Sequence, residues 1–187
     1  RRQRQMCIRD RYKPYNFSPA PFLADKNSAQ QGYLSSEPYE IEKQAGFTPK
    51  VFLLADNGYS PYSTMITTTQ TMIDTKPDVV QRFVDASIEG WYNYLYGDNS
   101  KANALIKKDN PEMTDGQISY SIAKMKEYGI VESGDALEKG IGCLTEAHYK
   151  AFFDEMVAIK LFKAETDHKK AFSTKFSCKG VGMALKK

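Results

Sequence analysis

Ser35, Ser36 and Glu37 stand side by side, directly ahead of Pro38. Two hydroxyls and a carboxylate in one tripeptide can hydrogen-bond a polar ligand, the hydroxyls giving or taking a proton and the carboxylate only accepting. Some twenty residues on, Asn57-Gly58-Tyr59-Ser60-Pro61-Tyr62-Ser63 offers two phenol rings able to stack on a planar ring. Aromatic walls with a few fixed polar groups are the usual make-up of a small-ligand site. The chemistry these five residues suggest is capture, with no catalytic residue among them. An oxyanion such as a sulfonate or nitrate calls for arginine, lysine or helix N–H groups. Glu37 and tyrosines without arginine favour an aminopyrimidine or flavin-like heterocycle. A plainer reading stands beside this one: Glu37 as a helix-start carboxylate favoured by the dipole, and Tyr59 and Tyr62 as hinge packing.

The elements that must position these residues follow from local pattern. Gly32-Tyr33-Leu34 reads as a short strand that ends in the acidic turn. Pro38 suits the first turn of a helix over 39–44, since its missing N–H would be unpaired there anyway. Gly46 and Pro49 close that helix, and Val51-Phe52-Leu53-Leu54-Ala55 is a continuous apolar run of the buried-strand kind. Strand, turn, helix, strand is the layout of α/β proteins that bind ligands at the carboxyl ends of their strands.

Beyond residue 70 the pattern is helical. Residues 76–96 place Val80, Phe83, Val84, Ser87, Ile88, Trp91 and Leu95 three and four apart, with Pro77 at the start and Gly97 beyond the end. Thr114 and Gln117 form a capping box ahead of an apolar face of Ile118, Ile122, Met125 and Tyr128. Thr145 caps a last helix whose stripe is Tyr149, Phe152, Phe153, Met156 and Val157. The tail from Phe172 is lysine-rich, with a turn at Lys179-Gly180-Val181-Gly182. No stretch has the ~18 consecutive apolar residues of a membrane span.

Several segments together carry a family resemblance. PAPFLADKN (19–27), QQGYLSSEPYEIEK (30–43), PKVFLLADNGYSPYST (49–64) and KPDVVQRFVDASIEGWYNYLYGD (76–98) resemble the substrate-binding proteins of bacterial ABC importers. ANALIKKDNPEMTD and MKEYGIVESGDA extend the likeness. The branch is the SsuA/Thi-like group, which takes up sulfonates, nitrate, riboflavin and thiamine-pyrimidine precursors. The resemblance implies a type II periplasmic-binding-protein-like α/β fold: two lobes joined by crossing strands, with the solute between them. On that template residues 12–48 end the second lobe, 49–69 form the crossing strand and hinge, and 70–187 are the helical part of the first lobe. The sequence would then be a carboxyl-terminal fragment lacking the central strands and the signal peptide, and its helices would be incompletely covered. Implied partners are a small-molecule solute and an inner-membrane ABC permease, with no cofactor, no metal and no nucleic acid. A monomer in the periplasm is expected. Fungal pyrimidine synthases share this fold; the cysteine-rich cluster they carry is not seen in the covered region.

Charge sets the amino end apart. Residues 1–11 hold five of the six arginines together with Asp10, so taking their +4 from the formal +3 leaves −1 for residues 12–187. Met6-Cys7-Ile8-Arg9-Asp10 resembles the translation of a sequencing adapter, and residues 1–11 are read as a scar. The remaining lysine pairs are scattered, which does not make a phosphate-tracking stripe. Trp91, Tyr92, Tyr94 and Tyr96 read as helix packing, and His148 and His168 as solvent-facing. Cys143 and Cys178 lack metal-site spacing; an oxidising compartment would allow them to pair, and spacing leaves that open.

Overall fold

The computed structural model describes residues 11–186. They divide into two compact units between Val51 and Phe52. The first contains α1 (Ala20–Ala24) and α2 (Glu37–Ala45). The second contains α3 (Gln70–Thr75), α4 (Pro77–Tyr96), α5 (Ser100–Asp109), α6 (Asp115–Glu127), α7 (Ala136–Lys139) and α8 (Glu146–Ala158). Short 3-10 turns lie at Ala55–Asn57, His168–Ala171 and Met183–Leu185. No helix among the described residues is long and apolar enough to cross a membrane. The amino-terminal segment 1–10, read above as the bulk of a scar, lies outside the described residues.

The expected strands are not formed. No strand occurs among the described residues, which form helices and turns, so they do not confirm the α/β two-lobed architecture. Tyr33 and Leu34 sit in a turn, and Val51, Phe52 and Leu54 are 45%, 74% and 63% exposed, without regular structure. The physical reason is pairing: an apolar run becomes a strand only beside another strand, and a lone extended segment leaves its backbone groups to water. Leu54 instead turns over, accepting hydrogen bonds from the N–H groups of Asn57 and Tyr59.

The helical expectations hold better, with one reassignment. Thr114 and Thr145 do cap α6 and α8, their side chains accepting from the N–H of Gln117 and His148. In α4 the buried face is Ile88, Tyr92 and Leu95, with Val84 packed against it. Phe83 and Trp91, expected in the stripe, are 61% and 42% exposed. Both rows have helical spacing. The row carrying Tyr92 wins because its hydroxyl has partners inside: it accepts from the N–H of Ile141 at 3.1 Å and donates to Glu132 at 3.4 Å.

The carboxyl-terminal tail completes this core. Cys178 is disulfide-bonded to Cys143, answering what spacing left open. Phe176 is buried, Gly180 donates to the Lys139 carbonyl at 3.0 Å, and Val181 and Met183 pack on α4. Gly182 has φ +72°, and a Cβ there would lie 2.7 Å from Cδ2 of Tyr92. Only glycine permits both the left-handed turn and the close approach. The end of the chain reaches Glu132, whose carboxylate accepts from Tyr96 at 2.6 Å and pairs with Lys186 at 2.9 Å.

Candidate functional site

Ser35, Ser36 and Glu37 belong to the first unit. Glu37 opens α2 and is followed by Pro38 in the first turn, so its carboxylate sits where the helix presents unpaired N–H groups. The side chain folds back over Gly32, where an added Cβ would come within 3.0 Å of it. There Oε2 accepts from the backbone N–H of Tyr33 at 2.6 Å, and Oε1 accepts a short hydrogen bond from the Tyr15 hydroxyl. Burial, the hydrogen bond to Glu37 and its negative charge push the Tyr15 phenol up to about 12. An ionised carboxylate has about four lone-pair positions, so these two donors fix its orientation and leave capacity for a third. Ser36 stands at the N-cap position but makes no side-chain bond to the helix. All three residues are half-buried.

Tyr59 and Tyr62 belong to the second unit, in the turn that follows the 3-10 segment Ala55–Asn57. Tyr59 is 39% exposed. Tyr62 is engaged: its ring stacks on His148, centroids 4.3 Å apart and planes 22° from parallel. Its hydroxyl accepts from the N–H of Thr145 at 2.9 Å. His148 Nε2 lies 2.6 Å from the carbonyl oxygen of Ser60; a carbonyl can only accept, so that nitrogen carries the proton. Thr145 in turn donates its hydroxyl to Asp135 at 2.9 Å. That bond and Lys139 hold the Asp135 carboxyl below the usual carboxylate range. A hollow of about 290 Å³ lies beside this junction, lined by Gly58, Ser60, Pro61, His148 and Phe152 among others.

The turn is therefore legible in the sequence, and what it rests on is not. His148 was expected to face solvent and instead stacks and hydrogen-bonds; His168, likewise expected outside, is half-buried and stacked on Phe153 at 4.8 Å. One signal was present in the sequence: a histidine three residues after a helix cap lies in the first turn, close to whatever the cap contacts. Nothing in the spacing ties Tyr62 to Thr145, 83 residues away.

Residues 11–102 match the profile of the family described as NMT1/THI5 like. This stretch, just under half of the chain, contains all five candidate residues; Asp135, Thr145 and His148 lie beyond it. The family takes in ABC solute-binding proteins and pyrimidine synthases, and the match supports the SsuA/Thi-like binding group in general. No curated protein and no solved structure gives a significant match.

Proposed function

We propose that this protein is the solute-binding component of an ABC importer, which captures a small heterocycle and delivers it to a membrane permease. The match over residues 11–102 is the observation that carries the reading, because all five candidate residues fall inside it. The ligand class follows from Glu37. Its carboxylate is held by Tyr15 and the Tyr33 N–H with acceptor capacity to spare, which suits a ring N–H or an amino group and repels an anion. A thiamine pyrimidine precursor or related aminopyrimidine has those donors. Ser35 and Ser36, in the same unit, supply further hydrogen bonds; Tyr59, in the second unit, is 39% exposed and is a ring able to stack. Tyr62 fixes the turn that carries Tyr59, since one face of its own ring is covered by His148. The work is done in the periplasm by a monomer; the Cys143–Cys178 disulfide accords with an oxidising compartment.

Calorimetry and thermal-shift titration with a hydroxymethyl-aminopyrimidine, riboflavin, taurine and nitrate test the proposal. The aminopyrimidine is expected to bind and to raise the melting temperature, while taurine and nitrate do neither. Saturable binding of taurine or nitrate in preference to the heterocycles would replace this reading by an anion importer.

A further inference from the structure

The carboxyl-terminal half contains a pocket that the solute-binding reading does not use. Helix α8 ends at Ala158, and Lys160 adopts φ +64°, which reverses the chain. The N–H groups of both Leu161 and Phe162 then bond to the carbonyl of Met156, at 2.9 and 3.2 Å. This reversal brings Phe162 back under the helix, 6.2 Å from Phe152 in an edge-on contact and 6.1 Å from Phe153. His168, in the following 3-10 turn, stacks on Phe153. These rings line one side of a cavity of about 410 Å³, within the size range of small-ligand pockets.

Its polar groups define what it would hold. Asp167 is already occupied: it accepts from the Lys169 N–H at 3.2 Å and pairs with Lys170 at 3.8 Å. Lys169 pairs with Glu146 at 2.7 Å. Lys163, at the rim, has no ion-pair partner among the described residues and is exposed. Nε2 of His168 is buried without a hydrogen-bond partner among them. The pocket therefore has planar apolar walls, one uncompensated positive charge at its mouth and one unpaired nitrogen in its wall.

We propose that this pocket binds a planar aromatic carboxylate, its ring against the apolar wall that Phe152 and Phe162 form together and its carboxylate on Lys163. None of its lining residues is among Ser35, Ser36, Glu37, Tyr59 and Tyr62, and all lie outside residues 11–102. The probe is 2-naphthoate, titrated into the whole protein by fluorescence and saturation-transfer NMR. 2-Acetylnaphthalene serves as the neutral analogue of the same shape and hexanoate as the non-planar anion.

Saturable binding of naphthoate at one site is expected. An ammonium–carboxylate contact at an exposed rim makes the neutral ketone about fivefold weaker, and Lys163→Met should cost naphthoate about the same factor. Phe162→Ala should weaken both naphthyl compounds about tenfold or more, by removing part of that wall. Lys163 is on the surface, so its variant stays informative even if Phe162→Ala disturbs folding. No saturable binding, equal affinity for naphthoate and the ketone, or hexanoate as strong as naphthoate would each overturn the proposal. An aminopyrimidine that competes with naphthoate would overturn the independence of the two sites. Failure of the aminopyrimidine to bind at all bears on the importer reading and leaves the naphthoate result standing.

Discussion

Tyr62 lies flat against His148, 4.3 Å between ring centres, while its hydroxyl takes the N–H of Thr145 at 2.9 Å. A single side chain thus seals the first turn of α8 twice, by stacking on one of its residues and by satisfying one of the N–H groups near the helix start. The turn 58–63 is held to α8 through this junction and through the His148–Ser60 hydrogen bond. A ligand that stacks on Tyr62 meets only the ring face that His148 leaves open.

Tyr62→Phe keeps the stack and deletes the acceptor, so the loss should be about 1 kcal/mol. Tyr62→Ala removes both and should cost about 3 kcal/mol or more. Urea denaturation of the two variants separates the contributions. Equal losses would show that the stack on His148 adds nothing, and no loss in Tyr62→Phe would show that the hydroxyl adds nothing at the helix end.

The disulfide joins residues 35 apart in sequence, and closing a loop of that length removes denatured-state entropy worth about 3–4 kcal/mol. Cys143→Ser with Cys178→Ser should lower stability by that order. The tail should loosen first, because Phe176, Val181 and Met183 are attached through it. Hydrogen exchange at Gly180 N–H, bonded to Lys139, would report the loosening; unchanged protection there would mean that packing alone holds the tail.

Glu132 and Tyr96 give the second unit a pH dependence at both ends. Burial raises the Glu132 carboxyl, but hydrogen bonds from Tyr96, Lys186 and Tyr92 and the Lys186 charge outweigh it, and the net shift is downward. A carboxyl lowered on folding contributes stability above its unfolded value of about 4.3, and that contribution disappears as pH falls through the folded value. The hydrogen bond to Glu132, then burial, push the Tyr96 phenol up to about 12. Its contribution is complete below about 10 and is lost as pH rises through about 12. Glu132→Gln should cost about 1–3 kcal/mol near neutrality and flatten both limbs. A stability profile of the variant parallel to wild type would exclude this cluster as the source.

Glu37→Gln separates binding from helix support. In the importer reading it should weaken the aminopyrimidine about ten- to a hundredfold, as expected for a hydrogen bond to a charged group of roughly 1.5–3 kcal/mol. The dipole contribution to stability is only about 0.3–1 kcal/mol. Unchanged affinity together with lowered stability would make Glu37 the clamp of the Tyr15–Tyr33 turn and nothing more.

Gly182→Ala should destabilise by about 1–3 kcal/mol, from positive-φ strain and from the 2.7 Å approach to Tyr92. A truncated partner tests the two causes: Gly182→Ala combined with Tyr92→Leu should recover only the steric part. Additive losses in the double variant would leave backbone strain as the whole effect.

Local chemistry alone determined α6 and α8 of the second unit. Thr114 and Thr145 act as caps over neighbouring residues, and the apolar spacing of α8 needs no distant information. The same locality made Ser35, Ser36 and Glu37 legible as a polar turn at a helix start. Which of two equally spaced rows on α4 would be buried was a different matter. Phe83 and Trp91 are the more apolar, yet Tyr92 is enclosed because Ile141 and Glu132, forty and more residues away, meet its hydroxyl. The run 51–55 shows the converse: its composition is that of a buried strand, but a strand is a property of a pair, and no strand forms among the described residues. The Cys143–Cys178 pairing, the Tyr62–His148 stack and the return of the tail to Glu132 likewise rest on contacts between segments far apart in the chain. Their energies depend on tertiary geometry, which no periodicity in the sequence encodes.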